Sequence, residues 1–125
     1  MFAAINQSRA AVGLPALQWS SGLSRSAHLH NLAMASADQL SHQVAGEAPL
    51  GTRISQQGIA WTWVGENVGQ SPTLSTAGAL YLEQLMLGDA VHRPQILTTL
   101  GTMVGVDVVF DTAHHMLWLT EDFAN

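Results

Sequence analysis

Not one of the 125 residues is a cysteine, so no disulfide, thiolate metal site or cysteine nucleophile is open to this chain. A chain of this length has room for one domain around one core, taken here as residues 1–125, and that core has to hold the fold unaided. Its composition is suited to that: 47% of the residues are hydrophobic and 10% are charged. This is too apolar for a disordered segment and too interrupted for a membrane-embedded one. No apolar run approaches the roughly 20 residues of a membrane-spanning helix.

Periodicity and chain-breaking residues set the order of elements. Phe2, Ile5 and Val12 recur at helical spacing over residues 2–12, and Gly13 is a C-terminal stop. Pro15 holds an extended link through Trp19. Ser20 or Ser21 caps a second helix reaching about Asp38. Leu29, Ala33 and Ala37, with Leu32 adjoining, form its apolar line, and Leu23, Ala27, His30 and Met34 form a neighbouring stripe. Residues 50–58 suit one or two helical turns, and residues 61–68 a strand with Gly65-Glu66-Asn67 near its end. Gly, Ser, Pro and Thr mark residues 69–76 as a loop. A third helix is expected over residues 76–87, with Leu80, Glu83, Gln84 and Leu87 on related faces and Gly88 ending it. Pro94 suits the first turn of a short helix after His92. Residues 103–110 and 116–123 predict two strands, joined by a turn over residues 111–115. Helices flanking a small antiparallel sheet, an α/β sandwich, is compatible with this order.

Charge narrows the partners. Lys is absent, and four Arg stand against nine acids for a net charge of −5. Affinity for nucleic acid leans on clustered Lys and Arg, so no nucleic-acid partner is expected. Electrostatic attachment to anionic membranes is disfavoured equally. Met1 to Ile5 shows no positive segment ahead of an apolar one, so no secretory leader is visible.

Three stretches carry the chemistry: Ser41-His42, Gly65-Glu66-Asn67 and His92-Arg93-Pro94-Gln95-Ile96-Leu97. Histidine serves as a neutral metal ligand or as an acid and base near neutral pH. A carboxylate beside it orients the ring, holds a charge or accepts a proton. Each has a blander reading: a satisfied structural histidine, or a carboxylate bonded to nearby backbone N–H groups.

In order and context these pieces resemble the CAP superfamily, the SCP-like domain of cysteine-rich secretory proteins, insect venom antigens and plant pathogenesis-related proteins, and most of all its bacterial cysteine-free branch. Asn6-Gln7-Ser8-Arg9 and Gly13-Leu14-Pro15-Ala16-Leu17-Gln18-Trp19 are similar to the opening helix and its G-L-x-x-L-x-W link. His30, Met34 and Ala35 leading to Ser41-His42 resemble the second helix and first signature histidine. Gly65-Glu66-Asn67 is similar to the family's G-E-N, and His92-Arg93 through Ile96-Leu97 to its H-R-x-x-I-L. Val104-Gly105-Val106 and Glu121-Asp122-Phe123-Ala124 resemble the closing strands.

The resemblance implies a three-layer α-β-α sandwich and an extracellular or cell-envelope location. It implies that His42 and His92 face each other across a cleft with Glu66. In several members the two equivalent histidines bind a divalent metal, usually zinc. Many members also place a second acid before the second histidine. Asp89 is preferred here, three residues before His92 and able to share a helical face with it, with Glu83 as the alternative.

Three functions compete, one of them a structural or interaction domain whose cleft is a fossil. Another is a binding module whose cleft takes a small-molecule, lipid or peptide ligand, with or without metal. The third is a hydrolase using a zinc-activated water at His42 and His92 with Glu66 as base. It lacks a third protein ligand and an H-E-x-x-H helix. Elsewhere, His30 is expected at the core edge, His28 in solvent, and His114 and His115 exposed in a turn. Arg93 is expected in a structural salt bridge, and Trp19, Trp61, Trp63 and Trp118 mostly in the core. Ser41 is expected to cap rather than attack.

Overall fold

The computed structural model describes residues 1–125. The chain runs α1 (Phe2–Ala11), β1 (Gln18–Trp19), α2 (Ser21–Ala37), α3 (Leu50–Gln56), β2 (Val64–Ser71), α4 (Thr76–Gly88), α5 (Arg93–Ile96), β3 (Met103–Asp111) and β4 (Met116–Ala124). The four strands pair in the order β1-β3-β4-β2. β3, β4 and β2 are antiparallel, whereas the short β1 joins β3 in parallel, which the sequence did not indicate.

Side chains of a strand alternate between faces, and here both faces of the sheet are covered. Val104, Val106, Leu117, Leu119 and Phe123 pack with Ile5 of α1, Ala79 and Met86 of α4 and Ile96 of α5. On the other face Trp118 and Val68 pack with Met34 of α2, and Ala124 with Leu23 of α2 and Ile54 of α3. Helices therefore lie on both sides of the sheet, in three layers. Hydrophobic burial on the two faces is the main force holding them.

The second helix begins where expected: the Ser20 side chain accepts the Leu23 N–H at 3.2 Å. Its buried stripe, however, is Leu23, Ala27, His30 and Met34, and the expected apolar line turns outward, with Leu29 and Leu32 49% and 45% exposed. Gly105 decides the orientation. A Cβ there would collide with the backbone of Leu23 and Ser24, so its absence lets that edge of α2 sit directly on β3. On the sheet-facing side Asn31 donates to the Asp107 carbonyl and accepts from Thr120. The buried side of α4 likewise carries Ala79, Glu83 and Met86, while Leu80 is exposed.

β2 starts and ends later than the sequence suggests. Asn125 Oδ1 takes the N–H groups of Thr62 and Trp63, and the Trp61 indole donates to α3, which holds residues 61–63 outside the sheet. The strand then continues through Gly69 to Ser71 because Gly69 leaves room for Met86 and Leu82 of α4. Gly65-Glu66-Asn67 thus opens the strand rather than closing it. Trp118 is fully buried, but Trp19 and Trp61 are exposed at 47% and 38%, contrary to expectation. Trp19 instead stacks edge-on to Phe2.

Candidate functional site

Register on the edge strand β2 explains the arrangement. Glu66 lies opposite Asp122 and Asn67 opposite Glu121. Adjacent residues point to opposite faces, so Glu66 enters the α2/α3 layer and Asn67 the α1/α4/α5 layer.

On the first face, Glu66 is 6% exposed and divides its two oxygens. Oε1 lies 2.9 Å from His42 Nδ1, and Oε2 accepts from Arg53 Nη2 at 2.7 Å. The same Arg53 nitrogen donates to the His42 carbonyl, which ties α3 to the loop carrying the histidine. His30 stands 3.8 Å from Glu66 Oε2. Its Nδ1 faces both oxygens of Glu47 and its Nε2 donates to the Ser41 carbonyl. Burial works to raise the Glu66 pKa, but the hydrogen bond from His42 and the charges of Arg53 and His30 outweigh it and hold it below the usual range. The hydrogen bond to Glu66 in turn raises the pKa of His42, against its partial burial. Asp122, opposite Glu66 on β4, is pushed well above the usual range by burial and then by the Glu66 charge.

On the second face, His92 is the residue before α5, and Asp89 holds it. Asp89 Oδ2 lies 2.6 Å from His92 Nδ1, and Oδ1 accepts the N–H groups of Val91 and His92. The hydrogen bond from the His92 backbone, then that from its ring, lower the Asp89 pKa. Asn67 Nδ2 bridges the His92 carbonyl and Glu121 Oε2 at 3.2 and 3.0 Å. Glu83 is buried and makes no hydrogen bond. It makes no hydrogen bond or ion pair with His92, so of the two acids weighed for that role it is Asp89 that bonds the ring.

The structure therefore makes two pairs, His42–Glu66 and His92–Asp89, reached from neighbouring residues of one edge strand. No hydrogen bond or ion pair joins one pair to the other. No group of three or more His, Asp or Glu is arranged to hold a metal ion. The donor chemistry of each pair is nonetheless that of a metal ligand. With Nδ1–H donated to an ionised carboxylate, Nε2 keeps its lone pair, the usual disposition of a ligating histidine and its supporting acid. Each ring so held offers one nitrogen, against the three or four protein ligands that a bound zinc usually takes.

Arg53, Glu47 and Asp122 were not singled out by the sequence. A faint signal existed for the last: Thr120-Glu121-Asp122 interrupts an otherwise apolar closing strand. Arg93 is exposed and makes no ion pair, against expectation. Ser41 bonds locally to Gln43. His28 pairs with Asp107 and His114 with Asp111 at the surface.

The profile of the cysteine-rich secretory protein family, CAP, matches residues 2–123. Among solved structures, an extracellular protein containing an SCP domain from Bacillus anthracis superposes with a TM-score of 0.85 at 26% identity, over 99% of this chain and 38% of that one. An outer surface protein of Borrelia burgdorferi superposes at 0.84 with 14% identity, over 99% and 88%. A cysteine-rich secretory protein of Staphylococcus aureus gives 0.69 and 19%, over 98% and 36%. The chain thus spans little more than a third of the Bacillus and Staphylococcus proteins, and the Borrelia and Staphylococcus likenesses concern the fold alone. No curated protein matches the chain in sequence.

Proposed function

We propose, from the premise that this chain belongs to the CAP family of cysteine-rich secretory proteins, that it is an exported binding domain. In this reading His42, Glu66, Asp89 and His92 line a polar cleft that takes a small-molecule, lipid or peptide ligand, with zinc or a similar divalent ion at His42 and His92. The location rests on the Bacillus anthracis relative, described as an extracellular protein. The observation that carries the proposal is the matched pairing: each imidazole is anchored through Nδ1 by a carboxylate and keeps Nε2 for a ligand. When bound, the metal supplies a Lewis-acid contact to an oxygen-bearing ligand. The residues themselves orient it: Glu66 and Asp89 set the rings, and Arg53 holds Glu66.

Hydrolysis with Glu66 as base is the weaker reading. Both its oxygens are engaged and its pKa is lowered, whereas an effective base titrates near the working pH.

A calorimetric zinc titration tests the proposal. Ligation requires neutral imidazole, with a reference pKa of about 6.5, so affinity should fall between about pH 7 and pH 5. His42→Ala and His92→Ala should each remove most of it. Undiminished affinity in the double variant would move the site to His114 and His115 and overturn the proposal.

A further inference from the structure

β1 pairs with β3 only at Met103 and Val104, which leaves the rest of β3 at the edge of the sheet. The Val104 carbonyl accepts the Ser20 N–H, so the backbone groups of Val104 point away from β4. Successive strand residues alternate in this direction, and Val106, Val108 and Phe110 therefore turn their backbone groups outward as well. Ser24 Oγ donates to the Val106 carbonyl at 3.1 Å. The N–H and C=O groups of Val108 and Phe110 meet no backbone or side-chain partner. Val106-Asp107-Val108-Val109-Phe110 is rich in strand formers and holds no Lys or Pro, residues that commonly close such an edge to newcomers. Phe110 is 48% exposed.

Unpaired groups in this pattern fit another extended backbone, which presents donors and acceptors at the matching spacing. A second copy of the chain is the wrong shape for the place. In an antiparallel pairing centred on Val108, Thr112 of one copy stands opposite Val104 of the other, where β1 already lies. Moving the centre toward Phe110 pushes the turn after Asp111 further onto β1. A separate peptide carries no such turn. Charge selects its side chains. One face of the edge presents Val106, Val108 and Phe110. The other presents Asp107 and Asp111, which pair with His28 and His114. The chain has no Lys and a net charge of −5, and opposite charges across strands are favourable where like charges are not.

We propose that the β3 edge from Val106 to Phe110 receives an extended peptide of a partner protein, with apolar and basic residues in alternation. Backbone bonds to Val108 and Phe110 hold the peptide. Its apolar side chains cover those two residues, and its basic ones meet Asp107 and Asp111.

The test is an NMR titration of the full chain, read by amide hydrogen exchange, with acetyl-Lys-Val-Lys-Val-Lys-Val-amide. In the free chain the Val108 and Phe110 amides should exchange fast, and that of Val109, which faces β4, slowly. Saturation should slow Val108 and Phe110 about tenfold and leave Val109 unchanged. The same peptide with Glu in place of Lys should bind about tenfold more weakly. A fully N-methylated Lys peptide keeps every side chain but donates no backbone bond, and it should not bind. Val108→Pro removes an outward N–H at a position where edge strands tolerate proline, and it should weaken the Lys peptide at least about tenfold. Slow exchange of Val108 and Phe110 in the free chain, no saturable change at them, tighter binding by the Glu peptide, or equal binding by the N-methylated one would each overturn the assignment.

Discussion

Glu66 joins fold and site in one side chain, because it accepts from both His42 and Arg53 in a buried setting. Its two bonds separate by substitution. Glu66→Gln keeps the size but removes the charge, so the His42 pKa should fall back toward its ordinary value, since the Glu66 hydrogen bond is the largest cause of its rise. NMR titration of the His42 ring reads this directly. The same variant should weaken zinc binding by roughly 10–100-fold, the usual effect of losing a carboxylate behind a ligating imidazole. A His42 that still titrates high would mean that another group sets it. Arg53→Met makes the opposite error. It leaves the Glu66 carboxylate buried without its cation and should cost about 3–5 kcal/mol in urea unfolding. Combining it with Glu66→Gln should cost less than the sum, because the orphaned charge is gone.

At the scale of elements, α2 is placed by two small features. Ser20 caps it, and Ser20→Ala should lose about 1 kcal/mol. Gly105 seats it, and Gly105→Ala should cost about 3 kcal/mol or more, because the new methyl meets backbone that cannot turn aside. Equal losses for the two in denaturant melts would refute the seating argument. These features also explain what was legible in the sequence. The ends of α2 and the β3–β4 turn follow from local signals, a capping serine, a left-handed Asp38, and Asp111 bonding the turn N–H groups. The face that α2 buries depends on a glycine about 80 residues away, and no local pattern carries that information. The bounds of β2 depend in the same way on Asn125 and Gly69. The site divides likewise. His42, Glu66, Asp89 and His92 stood out as compact motifs, whereas Arg53, Glu47 and Asp122 look like ordinary surface charges until the strands pair. A central strand covered on both faces buries both Glu121 and Asp122, and alternation alone would have exposed one of them.

Across the whole molecule, these buried acids give stability an unusual dependence on pH. Burial pushes Glu83 and Glu121 up to about 7, the Glu83 charge adding to the rise at Glu121, and burial lifts Asp122 well above its usual range. Unfolded, the two glutamates titrate near 4.5. Between about pH 4.5 and pH 7 the folded chain therefore holds protons that the unfolded chain has released. Stability must fall as pH rises through that window. The raised His42 and His114 act in the same direction, their contribution being complete below about 6.5 and lost as pH rises through the folded values. Glu66, Asp89 and Asp111 are lowered, so what they contribute is lost only in more acidic solution. Melting temperature should accordingly be highest near pH 5 and decline toward pH 8, whereas many proteins hold their maximum anywhere from about 5 to 8. Glu121→Gln isolates the cause. The amide still offers an oxygen to Asn67 Nδ2, which now donates to Glu121 Oε2 at 3.0 Å, but it has no charge to bury. The variant should melt several degrees higher than the parent at about pH 7.5, match it near pH 5 and show a flatter profile between them. A parent profile that rises from pH 5 to pH 7.5, or a variant destabilised equally at both, would show that the acids are ionised and paired within the fold.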